Sequence, residues 1–373
     1  MPSIIKEDYF IVTKLLIIQR FFPSFREGLF DSVAVKEETK LICSNHQPGK
    51  IVQPENLDEK NYVTQLFSFL IGSNIVIFPW LFFELVKLRP KYIVSEGGSN
   101  TVNNICVWLY AKLFRADYAI WDLGRAYKGK EQVSTLRFFY NQLYRKILKD
   151  ASKVYVYNSA GKSYFSSLIA IEKIVNLRNT VDTNLILRLK EQKEKESTLI
   201  GQKTAKFSQT ILYVGAVNEH KKLESLKDIL LGLSKDCCLI VVGGGDSKYI
   251  DELREYLGFE SSVFFEGYKK ISELPAYYKA ADFVILPGLG GLSINQAMAF
   301  GKPVVCCIAD GGEKELVKNY DTGFIYSHTD EAITFINSQT SSTWLAMGKN
   351  AEKLIYQDYS MDNMVNNFLT VTR

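Results

Sequence analysis

The stretch that decides the fold is 280–305, AADFVILPGLGGLSINQAMAFGKPVV. The apolar run 283–286 predicts a buried parallel strand. The glycine-rich segment 287–291 predicts a turn in which backbone can approach a ligand closely. Ser293 stands where a helix N-cap is expected, and Gly301 predicts the end of that helix. Such a strand, turn and helix N-terminus together predict an anion site, because unpaired N–H groups and the positive end of the helix dipole face the turn.

The same segment resembles the donor-binding core of the retaining family 4 glycosyltransferases, which have the GT-B fold. That core contains a glutamate, a Phe-Gly-Leu turn, and a second glutamate followed by Ala-Met-Ala-x-Gly-x-Pro. The matching positions are Leu292, Ala297, Met298, Ala299, Gly301, Pro303 and Val304. Gly288 stands where the family has its first glutamate, which contacts the sugar, and Gln296 stands where it has the second, which contacts the ribose. The resemblance therefore implies a degenerate motif in which Gln296 bonds the ribose as a neutral group.

Composition limits the classes of protein. The 373 residues are 47% hydrophobic and 23% charged, which is typical of a packed chain with two domains. A formal charge of +4 is too small to indicate a nucleic acid partner. The six cysteines form no CxxC motif, so we expect free thiols in a reducing compartment. No secretory signal is evident at the start of the sequence.

One stretch, 66–86, is long and apolar enough by count to resemble a membrane span. It contains Gly72, Pro79 and Glu84, so we predict two shorter buried elements instead. An aromatic face that enters the membrane interface is the intermediate alternative.

Strands alternate with helices in both halves of the chain, which predicts an α/β protein with two doubly wound, Rossmann-like domains. One predicted strand of the first half is 117–121. The five predicted strands of the second half are 209–214, 238–242, 263–265, 283–286 and 304–308. The GT-B resemblance implies that these domains face a central cleft. We place an acceptor-binding domain at 1–185, a charged interdomain region at 186–208, a nucleotide-sugar-binding domain at 209–350 and a C-terminal crossover helix at 351–373.

The resemblance implies most of the donor site. Gly290, Gly291, Leu292 and Ser293 form the diphosphate turn. Lys221 matches the family's lysine and is our candidate for the catalytic diphosphate contact, although a lysine at a helix start can also simply face solvent. The other candidates are Glu266 and Tyr268 beside the nucleobase, with Gly244 and Glu313 at the rim of the crevice, and ordinary turns or helix-dipole effects are the alternatives for these.

The acceptor site is expected at strand ends of the first domain. Asp122 is our candidate catalytic base, with a capping role as the alternative and His46 as a rival base. Arg20, Glu96, Asn100 and Arg125 are the remaining candidate acceptor contacts.

The combined prediction is a retaining, metal-independent transferase without a cofactor. It moves a hexose-type sugar from a nucleotide diphosphate sugar to a glycan acceptor, which we expect to be lipid-linked, as in the synthesis of bacterial surface polysaccharides such as lipopolysaccharide or capsule. We expect a cytoplasmic location with peripheral contact at the inner face of the membrane. Because both glutamates are replaced, a catalytically inactive nucleotide-sugar-binding or assembly subunit is the alternative.

Overall fold

The computed structural model describes residues 13–46, 52–72, 75–124, 135–191, 197–258, 261–309 and 312–373. The chain divides into two units, Met1–Arg178 with Asp362–Arg373, and Asn179–Met361. The second unit thus includes the charged stretch 186–208 that the sequence places between the domains.

The first unit is built on parallel strands that carry apolar runs. Its strands are β1 (Leu15–Ile18), β2 (Thr39–Ser44), β3 (Val63–Leu66), β4 (Phe69–Ile71), β5 (Ile75–Ile77), β6 (Tyr92–Glu96), β7 (Asp117–Trp121), β8 (Lys153–Val156) and β9 (Ile174–Asn176). Its helices are α1 (Glu27–Lys36), α2 (Leu81–Leu88), α3 (Thr101–Phe114), α4 (Thr135–Asp150) and α5 (Ser159–Ser166).

The seven strands of the main sheet lie in the order β3-β2-β1-β6-β7-β8-β9, and every pairing is parallel. The order reverses at β1 and β6, and ligands of doubly wound sheets bind where the strand order reverses. β4 and β5 form a separate antiparallel hairpin. The hairpin and α2 occupy the stretch 66–86, so the prediction of two buried elements is wrong for the hairpin, because one of its faces is exposed.

The second unit repeats this design. Its strands are β10 (Gln209–Val214), β11 (Cys237–Val242), β12 (Val263–Gly267), β13 (Phe283–Leu286), β14 (Val304–Cys307) and β15 (Gly323–Tyr326). Its helices are α6 (Thr183–Glu191), α7 (Ser197–Thr204), α8 (Leu226–Gly232), α9 (Ser247–Leu257), α10 (Leu274–Ala280), α11 (Leu292–Ala299), α12 (Glu313–Leu316), α13 (Thr329–Ser338) and α14 (Ser341–Asp358).

The six strands run parallel in the order β12-β11-β10-β13-β14-β15, with the reversal at β10 and β13. The predicted doubly wound architecture is confirmed in both units. The sequence predicts five strands here, and β15 is the strand that it misses.

The last helix, α15 (Met361–Phe368), returns the chain to the first unit. Met361, Met364, Val365 and Phe368 recur at helical spacing and are all buried. The Phe368 ring packs edge-on against Trp121 with centroids 5.5 Å apart. In the described parts of the chain, no helix combines the length and the apolarity needed to cross a bilayer.

Candidate functional site

The turn after β13 has the predicted backbone. Gly291 precedes α11 with φ +56°, a left-handed conformation that favours glycine. The helix begins at Leu292, so the prediction of Ser293 as the N-cap is wrong. Ser293 is the second helical residue, and its N–H donates to the Gly290 carbonyl at 3.3 Å.

The amide groups of this turn are available to a ligand. Within the described residues, the N–H groups of Gly290, Gly291 and Leu292 donate no hydrogen bond. The α11 dipole adds partial positive charge at the same place. The turn therefore has the features of an anion site.

Lys221 lies beside this turn. It ends a short 3-10 turn, Glu219–Lys221, that follows β10, and Asn218 caps that turn by accepting from the His220 N–H at 3.1 Å. The Lys221 ammonium donates to the Leu289 carbonyl. Because β10 and β13 are neighbours at the reversal point, two loops that are distant in sequence bring this ammonium group to the residue that directly precedes the amides of residues 290–292.

The two loops also approach each other closely at Gly288. A Cβ there would lie 2.6 Å from the His220 oxygen and 2.7 Å from the Lys221 carbonyl carbon. The backbone after β10 thus occupies the space that a side chain would need. The resemblance places a glutamate at this position, and the structure gives the physical reason for glycine.

Gln296 is held on the inner side of α11. The buried Tyr278 hydroxyl donates to its Oε1 at 3.1 Å. Tyr278 is itself stacked on Phe300, with ring centroids 4.3 Å apart. The Gln296 amide NH₂ is therefore the group left for a ligand, and it is a donor where a glutamate would be an acceptor.

The glycines after β11 have a packing role. A Cβ at Gly243 would lie 1.7 Å from the Gly215 oxygen, and one at Gly245 would lie 1.9 Å from the Val217 oxygen. Gly244 has room, and its nearest neighbour is the Tyr268 Cβ at 3.5 Å. Tyr268 is 68% exposed, so its ring is accessible for stacking.

The two acids of the predicted donor site are engaged within the unit. Glu266 pairs with Lys203 at 2.8 Å and accepts from the Tyr277 hydroxyl at 3.2 Å. Glu313 is buried and accepts from the Ala309 N–H at 2.9 Å. These contacts favour structural roles for both carboxylates.

In the first unit, Arg20 and Glu96 meet at the β1–β6 reversal point. The Arg20 guanidinium contacts Glu96 Oε1 at 2.6 Å, and the Arg20 N–H donates to Oε2 at 3.0 Å. Burial by itself raises the pKa of Glu96, but hydrogen bonds from Arg20 and the charge of Arg26 outweigh it, and the pKa lies below its ordinary value. Glu96 is thus a carboxylate at neutral pH.

Asp122 follows β7 at the same edge of the sheet. The Tyr144 hydroxyl donates to its Oδ2, and the Gly124 N–H donates to Oδ1 at 3.0 Å. Burial and the nearby Asp122 charge raise the pKa of Tyr144 well above its ordinary value, so that its hydroxyl stays a donor. These two hydrogen bonds hold Asp122 in one orientation. A catalytic base requires such positioning, and a carboxylate that only caps the turn would show it as well.

A second cation at this edge, Arg26, was missed by the sequence prediction. Arg26 is buried, and its guanidinium lies 3.9 Å from the centre of the Trp121 ring. It donates to Gln19 Oε1 at 2.7 Å and to the Tyr157 hydroxyl. Only the position of Arg26 after β1, in the loop that the sequence assigns to the cleft, could have indicated it.

The remaining candidates fall in different places. Asn100 is fully buried and accepts from Asn103 Nδ2 at 2.5 Å, so its side chain is used inside the unit. His46 is exposed, and its Nε2 lies 2.8 Å from the Ser68 carbonyl. Arg125 lies outside the described residues.

The fold defines a class of protein. The Anabaena protein HepE, solved in complex with UDP, superimposes with a TM-score of 0.70 over 95% of this chain and 98% of that one, at 18% identity. The chain therefore has the GT-B fold.

The second unit can be assigned more closely. Residues 195–357, which lie in this unit, match the family Glycosyl transferases group 1. An uncharacterised glycosyltransferase of Methanocaldococcus jannaschii is 30% identical over 171 residues, 43% of this chain and 44% of the relative. The alpha-monoglucosyldiacylglycerol synthase of Streptococcus pneumoniae is 34% identical over 123 residues, 31% of this chain and 27% of the relative. The chain thus spans less than half the length of these two relatives.

Proposed function

We propose that the protein is a retaining glycosyltransferase that transfers a hexose-type sugar from a nucleotide diphosphate sugar to a glycan acceptor. The bond between the sugar C1 and the diphosphate oxygen breaks, and a bond from C1 to the acceptor oxygen forms on the same face. The acceptor proton passes to the departing phosphate oxygen. The observation that carries this proposal is the contact of the Lys221 ammonium with the Leu289 carbonyl, directly before the amides of residues 290–292.

This arrangement suits a leaving diphosphate. Negative charge grows on the phosphate oxygens as the C1 bond breaks, and groups fixed in advance stabilise that charge most effectively. The turn supplies N–H donors and Lys221 supplies a full positive charge, so the proposed mechanism is independent of a metal. Tyr268, beside Gly244, offers a ring for the nucleobase, and the Gln296 NH₂ offers a donor to the ribose.

We assign acceptor binding to the first unit. Asp122 is the candidate group that orients the acceptor hydroxyl, whose proton the departing phosphate takes. The Arg20–Glu96 pair offers both donors and acceptors for sugar hydroxyls. A lipid-linked acceptor is supported by the glycolipid synthase among the relatives and by the apolar stretch 66–86. We therefore place the protein in bacterial surface-polysaccharide synthesis, in the cytoplasm and peripherally on the inner face of the membrane.

The test is nucleotide binding followed by transfer. Isothermal titration with nucleoside diphosphates should give saturable binding that Lys221→Ala weakens by about 10-fold to 100-fold, because a charge-assisted contact contributes about 1.5–3 kcal/mol. Lys248→Ala is the matched control, since Lys248 is an exposed lysine on α9 whose ion pair lies on the surface. Equal affinity in the wild type and Lys221→Ala would contradict the proposed site.

A second function, a nucleotide-sugar-binding subunit without catalysis, is favoured by one observation. Gly288 has neither a side chain nor the space for one where the family has a carboxylate. This function predicts normal nucleotide affinity with no hydrolysis and no transfer from any nucleotide sugar. Release of nucleoside diphosphate by the purified protein, sensitive to Lys221→Ala, would reject it.

A further inference from the structure

The β4–β5 hairpin has an apolar face where a water-soluble protein usually has a polar one. Its strands pair Phe69 with Ile77, Leu70 with Val76 and Ile71 with Ile75. Val76 is buried and Leu70 packs against the core, whereas Phe69, Ile71 and Ile75 on the opposite face are exposed. Antiparallel ribbons with one buried face normally alternate apolar with polar residues, and this one does not.

Further exposed aromatic residues flank the hairpin. The Phe67 and Phe69 rings meet edge to face with centroids 5.2 Å apart, and Trp80 and Phe83 at the start of α2 lie 5.9 Å apart. The exposed apolar residues of this region are Phe67, Phe69, Ile71, Ile75, Trp80 and Phe83, each between 39% and 66% exposed. We call these six residues the apolar ribbon surface. One such side chain would be ordinary, but a group of six marks an interaction surface.

The hairpin is anchored to the edge of the sheet that carries the candidate acceptor groups. The Ser68 hydroxyl lies 2.7 Å from that of Ser44, the last residue of β2. Asn103, in the helix that follows β6, donates to the Val76 carbonyl at 2.7 Å and accepts from the Phe78 N–H at 3.0 Å. The apolar ribbon surface therefore has a fixed position at the carboxyl end of the first sheet, where Glu96 also lies.

The charges around this surface indicate what it meets. Residues 62–116 contain five basic and two acidic side chains, Lys87, Arg89, Lys91, Lys112 and Arg115 against Glu84 and Glu96. The Glu96 carboxylate is bonded to Arg20 inside the unit. Lys87 follows Trp80 and Phe83 by seven and four residues, so it lies on the same helical face. Its side chain is 72% exposed even though its ammonium pairs with Glu84 at 3.5 Å. Aromatic rings with a lysine that can extend beside them suit the interface of an anionic bilayer.

We propose that the apolar ribbon surface docks the first unit onto a membrane that contains anionic lipids. Phe67, Phe69, Trp80 and Phe83 enter the boundary between headgroups and acyl chains, and Lys87 meets lipid phosphates. Docking brings the carboxyl edge of the first sheet to a lipid-borne acceptor. This last step rests on the proposed function, whereas membrane binding itself does not.

The test is co-sedimentation of the full chain with vesicles. We expect binding to vesicles of phosphatidylcholine with phosphatidylglycerol, and weaker binding to phosphatidylcholine alone or at high salt. The affinity of the double variant Phe69→Ser, Phe83→Ser for the vesicles should be lower by about tenfold or more, because burial of each ring in the bilayer stabilises the bound state. Leu345→Ser is the control, since Leu345 is an equally exposed apolar residue on α14 of the second unit.

A second measurement reports insertion directly. Of the four tryptophans, Trp80 is exposed, Trp108 is half-buried, and Trp121 and Trp344 are buried. Lipids brominated on the acyl chains should therefore quench the fluorescence of Trp80, and Trp80→Phe should remove most of the quenching. Equal vesicle binding by the double variant and the wild type, or no binding by either, overturns the proposal. A wild-type dimer in light scattering that the double variant abolishes also overturns it, because a second copy would then cover the surface.

Nucleotide titration separates this proposal from the proposed function. The double variant should bind nucleoside diphosphates as the wild type does, since the six residues lie in the first unit. A wild type that binds nucleotide but not vesicles rejects only the membrane surface. A wild type that binds vesicles but no nucleotide rejects only the donor site.

Discussion

Substitution of Gly288 by alanine should destabilise the second unit and weaken nucleotide binding together. The new Cβ would lie 2.6 Å from the His220 oxygen, and real Cβ atoms essentially never approach closer than 3.0 Å, so the backbone must move by about 0.4 Å or more. The contacts that this movement disturbs are the Leu289 N–H to His220 carbonyl bond at 3.4 Å and the Lys221 contact with Leu289. Overpacking of this kind typically costs about 1–3 kcal/mol.

The assay is thermal unfolding with and without nucleoside diphosphate. For a unit of this size, about 1–3 kcal/mol lowers Tm by about 2–12 °C, and nucleotide should restore less stability than in the wild type. Gly244→Ala is the matched control, because its Cβ would meet only Tyr268 at 3.5 Å. Its free energy of unfolding should stay within about 0.5 kcal/mol of the wild-type value. A Gly288→Ala protein with wild-type Tm and wild-type affinity would refute the close approach that we infer.

Three further predictions concern the first unit. Glu96 has a folded-state pKa below its ordinary value, so its pairing with Arg20 stabilises the fold above about pH 4.5. This stabilisation is lost as the pH falls through the folded-state pKa. Glu96→Gln should therefore make the free energy of unfolding depend less on pH, as measured by denaturant unfolding from about pH 7 to about pH 3. Tyr144→Phe should lower the free energy of unfolding by about 1–3 kcal/mol, because an Asp122 oxygen loses its buried donor, and urea unfolding checks this. Tyr155→Phe should speed proteolysis of residues 362–373. The Tyr155 hydroxyl, which this change removes, donates to the Phe368 carbonyl and accepts from the Val371 N–H.

Much of the fold could be predicted because parallel strands buried on both faces have continuous apolar sequences. The strand β7 was predicted with its observed bounds, since polar residues delimit its apolar run. β15 was missed because it is only four residues long and begins with a glycine after a turn. So short a segment shows little of the hydrophobic periodicity that predicts a strand. The β4–β5 hairpin was missed because Leu70 and Val76 are apolar on one face and Phe69, Ile71 and Ile75 are apolar on the other, which is typical of a fully buried segment.

The candidate site was predictable only where its parts are adjacent in sequence. The turn 287–291 and α11 form a continuous segment, and their local chemistry indicates an anion site. The contact of Lys221 with Leu289 depends on β10 and β13 being neighbours, and no local pattern specifies the order of strands in a sheet. Arg26 and Tyr157 are 131 residues apart in sequence, so their contact could not be predicted either.

The return of α15 to the first unit has a consequence for synthesis of the chain on the ribosome. Trp121 and Tyr155 belong to strands made early, whereas Phe368, which covers both rings, is made only after the whole of the second unit. Until then the nascent first unit exposes an aromatic surface that other apolar chains can bind. A stop codon in place of Met361 would leave that surface permanently exposed. The first unit should then aggregate, even though the second unit loses only Met361.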